Sequence, residues 1–350
     1  MEFGVQFFPD IGPDVIPADK YWDDCLRLVD LCDDLGYSHI RTVEHYFQAY
    51  GGYTPNPHVF LTAASQRCKK ARLVTGAVLP VFNHPLKVAG EIGMLDAISG
   101  GRLECGFARA FLPAEFDRFG ISLDESKARF QEGITQVRDL LEKENVDSDG
   151  QFHSYKNVTS LPRPTQQPRP PFWVAALATP DSFVNAGKMG DSIMAIPLAG
   201  GKMIELMGLY RDAWNSAGHK GKGRIMLAFH MLCAPTDEEA IEIAKDPFNR
   251  YLKSLVDSAS DWTGGSSSKD YPGYDKIIAG LAKENFDTQR AKNAAWIGSP
   301  ATITDQIADF VRGAADFDSA SIQVNFNTVS YEHAARSMRL FSEEVMPKFV

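Results

Sequence analysis

The chain has 350 residues, 44% of them hydrophobic, which is enough for one large α/β domain or two smaller ones. Its formal net charge of −9 gives no electrostatic footprint for nucleic acid or an anionic membrane surface. No apolar run reaches membrane-spanning length, and the sequence opens on a strand-like segment without the features of a signal peptide. We therefore expect a soluble, cytoplasmic protein that binds neither nucleic acid nor membranes.

Short β-prone runs alternate with helical patterns along the chain. The first strand is predicted at residues 3–8, and a helix follows in which Asp19 is the candidate cap and Gly36 the end. The other predicted strands cover residues 40–43, 73–79, 102–107, 172–176, 192–196, 225–233 and 321–326. The other predicted helices cover residues 59–68, 85–98, 124–141, a stretch from 180, 202–217, a stretch from Pro300, and the region from Ala335 to Val345.

Eight strands alternating with eight helices predict a (β/α)8 TIM barrel with insertions before strand 5 and after strand 7. An open doubly wound sheet is the alternative, but no GxGxxG motif follows the first strand. Proline clusters at 145–171 forbid a central strand there. Residues 235–295 contain helices and a Gly-Ser-rich piece at 263–269. We expect one domain over residues 1–350, with 235–295 as a lid-like insertion.

Glu44 and His45 follow the second predicted strand directly, where the loops of an α/β barrel build the active site. On this stretch alone, a surface Glu-His pair is equally compatible with the sequence. The other strand ends carry small or apolar residues, among them Gly76 and Ala77. No paired carboxylates, Walker loop or metal-ligand cluster stands out, and the five cysteines have no metal-site spacing. Because the carboxyl ends of the strands offer no strong nucleophile or metal site, we expect a bound cofactor to carry the reaction.

Two features predict that this cofactor is phosphorylated. Thr179 is a candidate helix cap and Pro180 fits the first helical position, so free backbone N–H groups there would face a phosphate. An ordinary cap is the commoner meaning of this pattern. Arg109, just past a strand end, could complete an anion site by bidentate contact, or it could form a surface ion pair.

Several segments together resemble the bacterial luciferase family of flavin-dependent monooxygenases over nearly the whole chain. They are residues 43–47, 78–80, 84–85, 95–106, Arg109, 119–120, 338–341 and 345–347. The resemblance implies a TIM barrel that binds reduced FMN (FMNH2) supplied by a separate flavin reductase. It further implies that O2 reacts with the flavin to give a C4a-hydroperoxide, which oxygenates a small organic substrate.

The resemblance also implies roles for individual residues. His45 corresponds to a histidine near the reactive edge of the flavin, and an imidazole that titrates near neutrality suits acid-base work there. Glu44 would orient the imidazole ring or line the pocket. Gly76 and Ala77 correspond to a non-prolyl cis peptide beneath the flavin.

The phosphate site and the lid follow from the same resemblance. Arg109 matches the phosphate-binding arginine, Lys127 falls where luciferase has a second basic residue, and Ala178, Thr179 and Ser182 lie where the family seats the phosphate. The segment after strand 7 corresponds to a mobile lid that protects the reaction from water.

The substrate is expected to be apolar or aromatic. Ala108 stands where luciferase has a reactive cysteine, so neither light emission nor long-chain aldehyde use is expected. Five aromatic residues are candidates for the pocket, although we expect at least half of them to belong to the barrel core: Phe7, Phe8, Phe47, Phe107 and Phe111.

Two alternatives remain open from the sequence. One is an F420-dependent oxidoreductase that transfers hydride on the same barrel without O2. The other is a non-catalytic flavin-binding subunit, against which the presence of both His45 and Arg109 argues. The resemblance further implies a homodimer, with the helices at 59–68 and 85–98 as candidate contact surfaces.

Overall fold

The computed structural model describes residues 1–177, 179–197, 201–313 and 317–349. Within these ranges eight parallel strands close into a barrel, which confirms the predicted (β/α)8 fold. Neighbouring barrel strands are, in order around the barrel, β1 (Glu2–Phe7), β2 (His39–Thr42), β3 (Arg72–Thr75), β4 (Leu103–Phe107), β7 (Phe172–Ala175), β8 (Ser192–Ala195), β9 (Ile225–Cys233) and β11 (Ser319–Gln323). The remaining strands lie outside the barrel and are β5 (Val146–Asp149), β6 (Ser154–Val158) and β10 (Ala295–Gly298).

Helices surround the barrel or belong to its insertions. Four of the described helices begin with a proline, because the missing N–H of proline would be unpaired at that position anyway; these prolines are Pro57, Pro85, Pro113 and Pro180. The helices are α1 (Ala18–Val29), α2 (Pro57–Arg67), α3 (Pro85–Ser99), α4 (Pro113–Phe119), α5 (Ser126–Glu142), α6 (Pro180–Met189), α7 (Gly201–Ser216), α8 (Asp237–Ser258), α9 (Tyr274–Leu281), α10 (Phe286–Ala291), α11 (Pro300–Gly313) and α12 (Tyr331–Glu344). Among the described residues, no helix is long and apolar enough to cross a membrane.

Three local predictions need correction. Helix α1 ends at Val29 and not at Gly36, and Pro17 is its N-cap while Asp19 lies inside the first turn. The stretch 145–171 contains the antiparallel hairpin β5–β6, which the sequence does not predict, but it contributes no barrel strand, as its prolines predict. Strand β10 was not predicted at all, because four residues ahead of a helix give too short a pattern.

The amino-terminal end of the barrel interior is closed by a network of ion pairs around one buried carboxylate. Glu104 is 4% exposed and lies 3.0 Å from Nε of Arg72 and 3.0 Å from Nη1 of Arg224. The indole N–H of Trp173 donates a third contact to Glu104 at 2.7 Å. Glu104, Arg72 and Arg224 are therefore all paired at the amino-terminal end of the barrel interior. The cavity described below lies at the opposite end.

Candidate functional site

A cavity of about 210 Å³ lies at the carboxyl ends of the barrel strands. The second insertion, residues 235–295, contributes Tyr251, Leu255 and Tyr274 to its wall. Of the residues predicted for the site, the cavity is lined by Glu44, His45, Gly76, Ala77, Arg109, Thr179, Ser182, Phe8 and Phe111. The structure thus brings residues from six separate segments of the sequence to one enclosed space.

His45 is held by a carboxylate that the sequence did not reveal. Its Nδ1 lies 3.0 Å from Oε1 of Glu115 in α4, and the same oxygen accepts the backbone N–H of Tyr46 at 2.8 Å. Glu115 is fully buried and His45 is 8% exposed, so the surface-pair interpretation is excluded. Because a carboxylate only accepts, Nδ1 carries the hydrogen and Nε2 is the nitrogen available for proton transfer.

Glu44 lines the cavity, but it does not orient the ring of His45. Its carboxylate accepts hydrogen bonds from the hydroxyl of Tyr46, the backbone N–H of Leu79 at 3.1 Å and the amide of Asn83 at 2.6 Å. Burial outweighs these donors and raises the pKa of Glu44 to about 7. Glu44 therefore holds its proton more tightly than an exposed glutamate does, and it lies in the wall of the same cavity as His45.

The Gly76–Ala77 peptide bond is cis, as the family resemblance implies. Gly76 packs directly against the side chain of Arg41, which also lines the cavity. A Cβ at position 76 would lie 1.9 Å from Nε of Arg41, so no larger residue fits beside that guanidinium. The carbonyl oxygen of Gly76 accepts a hydrogen bond from Nη2 of Arg41 at 2.9 Å.

A smaller cavity of about 160 Å³ adjoins the first and shares Arg109, Thr179 and Ser182 with it. Lys127 also lines this space. Thr179 is the N-cap of α6, yet its side chain makes no cap hydrogen bond, so the first N–H groups of the helix are free of that competitor. Ala178, predicted for the same site, lies outside the described residues.

Two of the four basic side chains that line this smaller cavity, Arg109 and Lys127, contact the second insertion and α6. Arg109 donates from Nη1 to the carbonyl oxygen of Asp270 at 2.9 Å, and its guanidinium lies 4.7 Å from the ring centre of Tyr271. Lys127 lies 3.4 Å from Asp181, and both side chains are more than half exposed. Two cations beside a helix amino terminus form the donor set that a phosphate requires, so these residues fit a phosphorylated flavin.

The second insertion covers the loop that follows β4. The indole N–H of Trp262 donates to the carbonyl oxygen of Phe111 at 2.8 Å, and the hydroxyl of Tyr271 donates to that of Ala110 at 2.9 Å. Ser268, in the Gly-Ser-rich piece, donates to Asp124 at 2.6 Å. The insertion therefore lies closed over one side of the cavity.

The predicted aromatic pocket is corrected at three positions. Phe7 and Phe107 are fully buried and pack against Phe60 and Phe172, because both point away from the barrel interior. Phe47 is 57% exposed and points outward. Phe8 and Phe111 remain as cavity residues. Within the described ranges, no cluster of three His, Cys, Asp or Glu residues could hold a metal ion.

An apolar cavity at a barrel mouth, with a buried His–Glu pair at one wall and basic side chains at another, is the arrangement expected of a cofactor-dependent barrel enzyme. The profile of the luciferase-like monooxygenase family matches residues 1–316. The chain belongs to this family. Both the predicted family and the predicted enzyme class, a monooxygenase, are thereby confirmed.

Individual relatives agree with this assignment. The oxygenase component of the flavin-dependent trigonelline monooxygenase of Acinetobacter baylyi is 30% identical over 94% of this chain and 90% of that protein. The crystal structure of the monooxygenase RslO1 from Streptomyces bottropensis is 40% identical, covers both chains completely and superposes with a TM-score of 0.90.

More distant structures share the fold alone. The oxygenating constituent of 3,6-diketocamphane monooxygenase from Pseudomonas putida, solved in complex with FMN, is 21% identical, covers 100% of this chain and 99% of that chain, and has a TM-score of 0.82. A coenzyme F420-dependent tetrahydromethanopterin reductase from Methanopyrus kandleri is 19% identical, with coverage of 100% and 99% and a TM-score of 0.72.

Proposed function

We propose that this protein is the oxygenase of a two-component system, which uses FMNH2 from a separate reductase and O2 to oxygenate a small apolar or aromatic substrate. The observation that carries the proposal is that the His45–Glu115 pair and the Arg109 anion seat open into adjoining cavities. The description of the Acinetobacter baylyi relative as flavin-dependent, and as an oxygenase component, supports both the cofactor and the separate reductase.

The residues of the chain divide into three tasks under this proposal. Arg109, Lys127 and the amino terminus of α6 would hold the phosphate of FMN, with Ser182 beside them. Bound FMNH2 would supply the reaction with O2, through the C4a-hydroperoxide that the family resemblance implies.

Proton handling falls to two side chains in the larger cavity. Glu115 fixes the tautomer of His45, so that Nε2 accepts or donates the proton. Glu44, with its pKa raised to about 7, holds a second proton within the same wall. The second insertion would act as a lid that excludes water within a single luciferase-like domain over residues 1–350.

A homodimer is part of the proposal, and exposed apolar side chains support it. Val59 on α2 is 70% exposed and Met94 on α3 is 58% exposed, and the two helices pack side by side. Leu161, in the loop that crosses α3, is 72% exposed. Analytical ultracentrifugation of Met94→Asp tests this surface, and a wild-type protein that sediments as a monomer would remove the dimer from the proposal.

The test of the function is an anaerobic titration of the purified protein with reduced FMN and, separately, with reduced F420, followed by mixing with oxygenated buffer. We expect FMNH2 to bind and to react with O2 on the protein, while Arg109→Gln binds FMNH2 at least tenfold more weakly. Preference for F420 without any reaction with O2 would instead move the protein to hydride transfer. Absence of binding to both flavins would overturn the proposal.

A further inference from the structure

Arg41 is a positively charged side chain inside the barrel that does not belong to the proposed phosphate site. It projects from β2 into the cavity, where Nη1 donates to the side-chain oxygen of Gln6 and Nη2 to the carbonyl oxygen of Gly76. Both acceptors are neutral. Arg41 forms no ion pair within the described ranges of the chain, and its Nε has no hydrogen-bond partner there.

The charge persists despite its burial. Desolvation lowers the pKa of Arg41 to about 10, which still leaves the guanidinium protonated at neutral pH. A buried cation without a counter-ion is unfavourable, and an anionic ligand at the N–H groups of Nη1 and Nη2 that Gln6 and Gly76 do not use would relieve that cost. A guanidinium also offers donors in a planar fork, which matches the two oxygens of a carboxylate.

Two phenols lie beside this guanidinium. Tyr50, from the loop after β2, and Tyr251, from α8, both line the cavity, and the centres of their rings are 6.0 Å apart. Arg41 is close enough to act electrostatically on both hydroxyls. Burial raises the pKa of Tyr251 to about 12, so this phenol stays protonated and can serve as a donor.

These donors lie on the His45 side of the cavity. The ring of Tyr50 lies 5.4 Å from the ring of His45 and 4.4 Å from the ring of Phe8, centre to centre. The anion seat at Arg109 is built instead from β4 and α6. The cavity therefore has two separate positively charged groups, Arg109 and Arg41, and the phosphate of FMN would contact only Arg109.

We propose that Arg41, Tyr50 and Tyr251 form an anion site beside His45 that binds the carboxylate or enolate oxygen of a planar substrate. This inference rests on the proposed oxygenase function, because the bound anion is a substrate only if the protein is that oxygenase. It narrows the substrate class from apolar or aromatic compounds to those that also carry one acidic oxygen. The anchored oxygen would hold such a compound against the aromatic wall next to His45.

The test is an isothermal titration of benzoate, with benzamide as the neutral probe, into FMN-loaded and FMN-free protein. The variants are Arg41→Met, Arg41→Lys and Tyr251→Phe. Arg312→Met is the matched control, because Arg312 is an exposed arginine on α11 paired only with Asp309 among described residues. We expect benzoate to bind at least twentyfold more weakly to Arg41→Met, with partial recovery in Arg41→Lys and a severalfold loss in Tyr251→Phe. Benzamide binding should not change.

Two results would overturn the anion site. One is equal benzoate affinity of wild type and Arg41→Met, or no benzoate binding by wild type. The other is a fall in FMN affinity and in the reduction potential of bound FMN in Arg41→Met with benzoate binding unchanged, which would assign Arg41 to the flavin. If wild type binds no FMN, the proposed function fails, but the FMN-free titration still decides the role of Arg41. Tyr251→Phe keeps the test open should Arg41→Met not fold.

Discussion

Both ends of the barrel interior contain buried glutamate and arginine side chains, but within the described residues the two kinds form ion pairs with each other only at the amino-terminal end. At the amino-terminal end, Glu104 is contacted by Arg72, Arg224 and the indole of Trp173. At the carboxyl-terminal end, Arg41 has no carboxylate partner among the described residues, and Glu44 has a pKa raised to about 7.

The difference separates scaffold from site without any appeal to a ligand. A buried charge that already has its partners contributes to the folded state and has nothing left to offer a ligand. A buried charge that lacks them is held in place by the rest of the fold, and its unused capacity is available for binding or proton transfer. Four substitutions can break or sharpen this comparison.

The largest effect is expected at the reactive end. Under the proposed function, His45→Ala should lower the rate of substrate oxygenation at least a hundredfold, because the cavity loses the imidazole to which the proposal assigns proton transfer. The matched control is His58→Ala, which removes a histidine held 3.2 Å from Glu91 and outside the cavity. Steady-state turnover would show an intact rate for His58→Ala; unchanged turnover of His45→Ala would refute the assigned role.

At the opposite end the effect should be on stability alone. Glu104→Gln removes the buried carboxylate that Arg72 and Arg224 both contact, although both keep their contacts with Glu2. We expect a loss of about 3 kcal/mol in the free energy of unfolding, at the low end for breaking a buried pair because both arginines are partly exposed. Urea denaturation measures it. Turnover per folded molecule should stay at the wild-type level, and a lower turnover would contradict the division between the two ends.

Glu44→Gln should change how stability depends on pH. The pKa of Glu44 is raised from its ordinary value of 4.5 to about 7, so between these values the folded state holds a proton that the unfolded state has released. The free energy of unfolding therefore falls as pH rises through this window, by up to about 3 kcal/mol in total. In Glu44→Gln this decline should be smaller by that amount.

Asp10 provides an internal reference for that measurement. Burial also raises its pKa to about 7, and it is present in both proteins, so the difference between the two pH profiles isolates Glu44. Urea denaturation at several pH values between 4.5 and 8 gives both profiles. Parallel profiles would show that Glu44 is ionised in the folded protein throughout the range.

The smallest effect is expected at the half-exposed Lys127. Its contact with Asp181 joins two solvated side chains, so Lys127→Gln should change the free energy of unfolding by less than about 0.5 kcal/mol. FMN affinity should nevertheless fall severalfold and become less sensitive to salt, because one phosphate contact is lost. If Lys127→Gln and the wild-type protein bind FMN with the same affinity, at low salt and again at high salt, Lys127 does not belong to the phosphate site.

The sequence was sufficient for the barrel because its strands and helices alternate with clear periods and turn signals. It was not sufficient for β10 or the β5–β6 hairpin, whose four- and five-residue runs depend on a neighbouring strand for their shape. His45 could be found because a polar residue directly after a strand is conspicuous.

Glu115 and Arg41 could not be found in the same way. Glu115 lies 70 positions from His45, in a short helix where an acidic residue is ordinary, and only the fold brings the two together. Arg41 sits in the middle of a strand, where neither propensity nor spacing tells whether a side chain faces the interior. The pairing of Glu115 with His45 and the inward orientation of Arg41 both arise only when the barrel is assembled.

Strand β10 returns the second insertion to the strand from which it departs. The insertion departs after Cys233, the last residue of β9, and returns as β10, which pairs with residues 230–233 of that same strand. The first part of β9 pairs with β8 and β11 and closes the barrel. Both ends of the insertion are thus fastened to one strand, and the register of the other barrel strands does not depend on its length. The part of the cavity wall that the insertion contributes can therefore change in length or sequence while the eight barrel strands keep their register, which under the proposed function separates substrate range from the barrel.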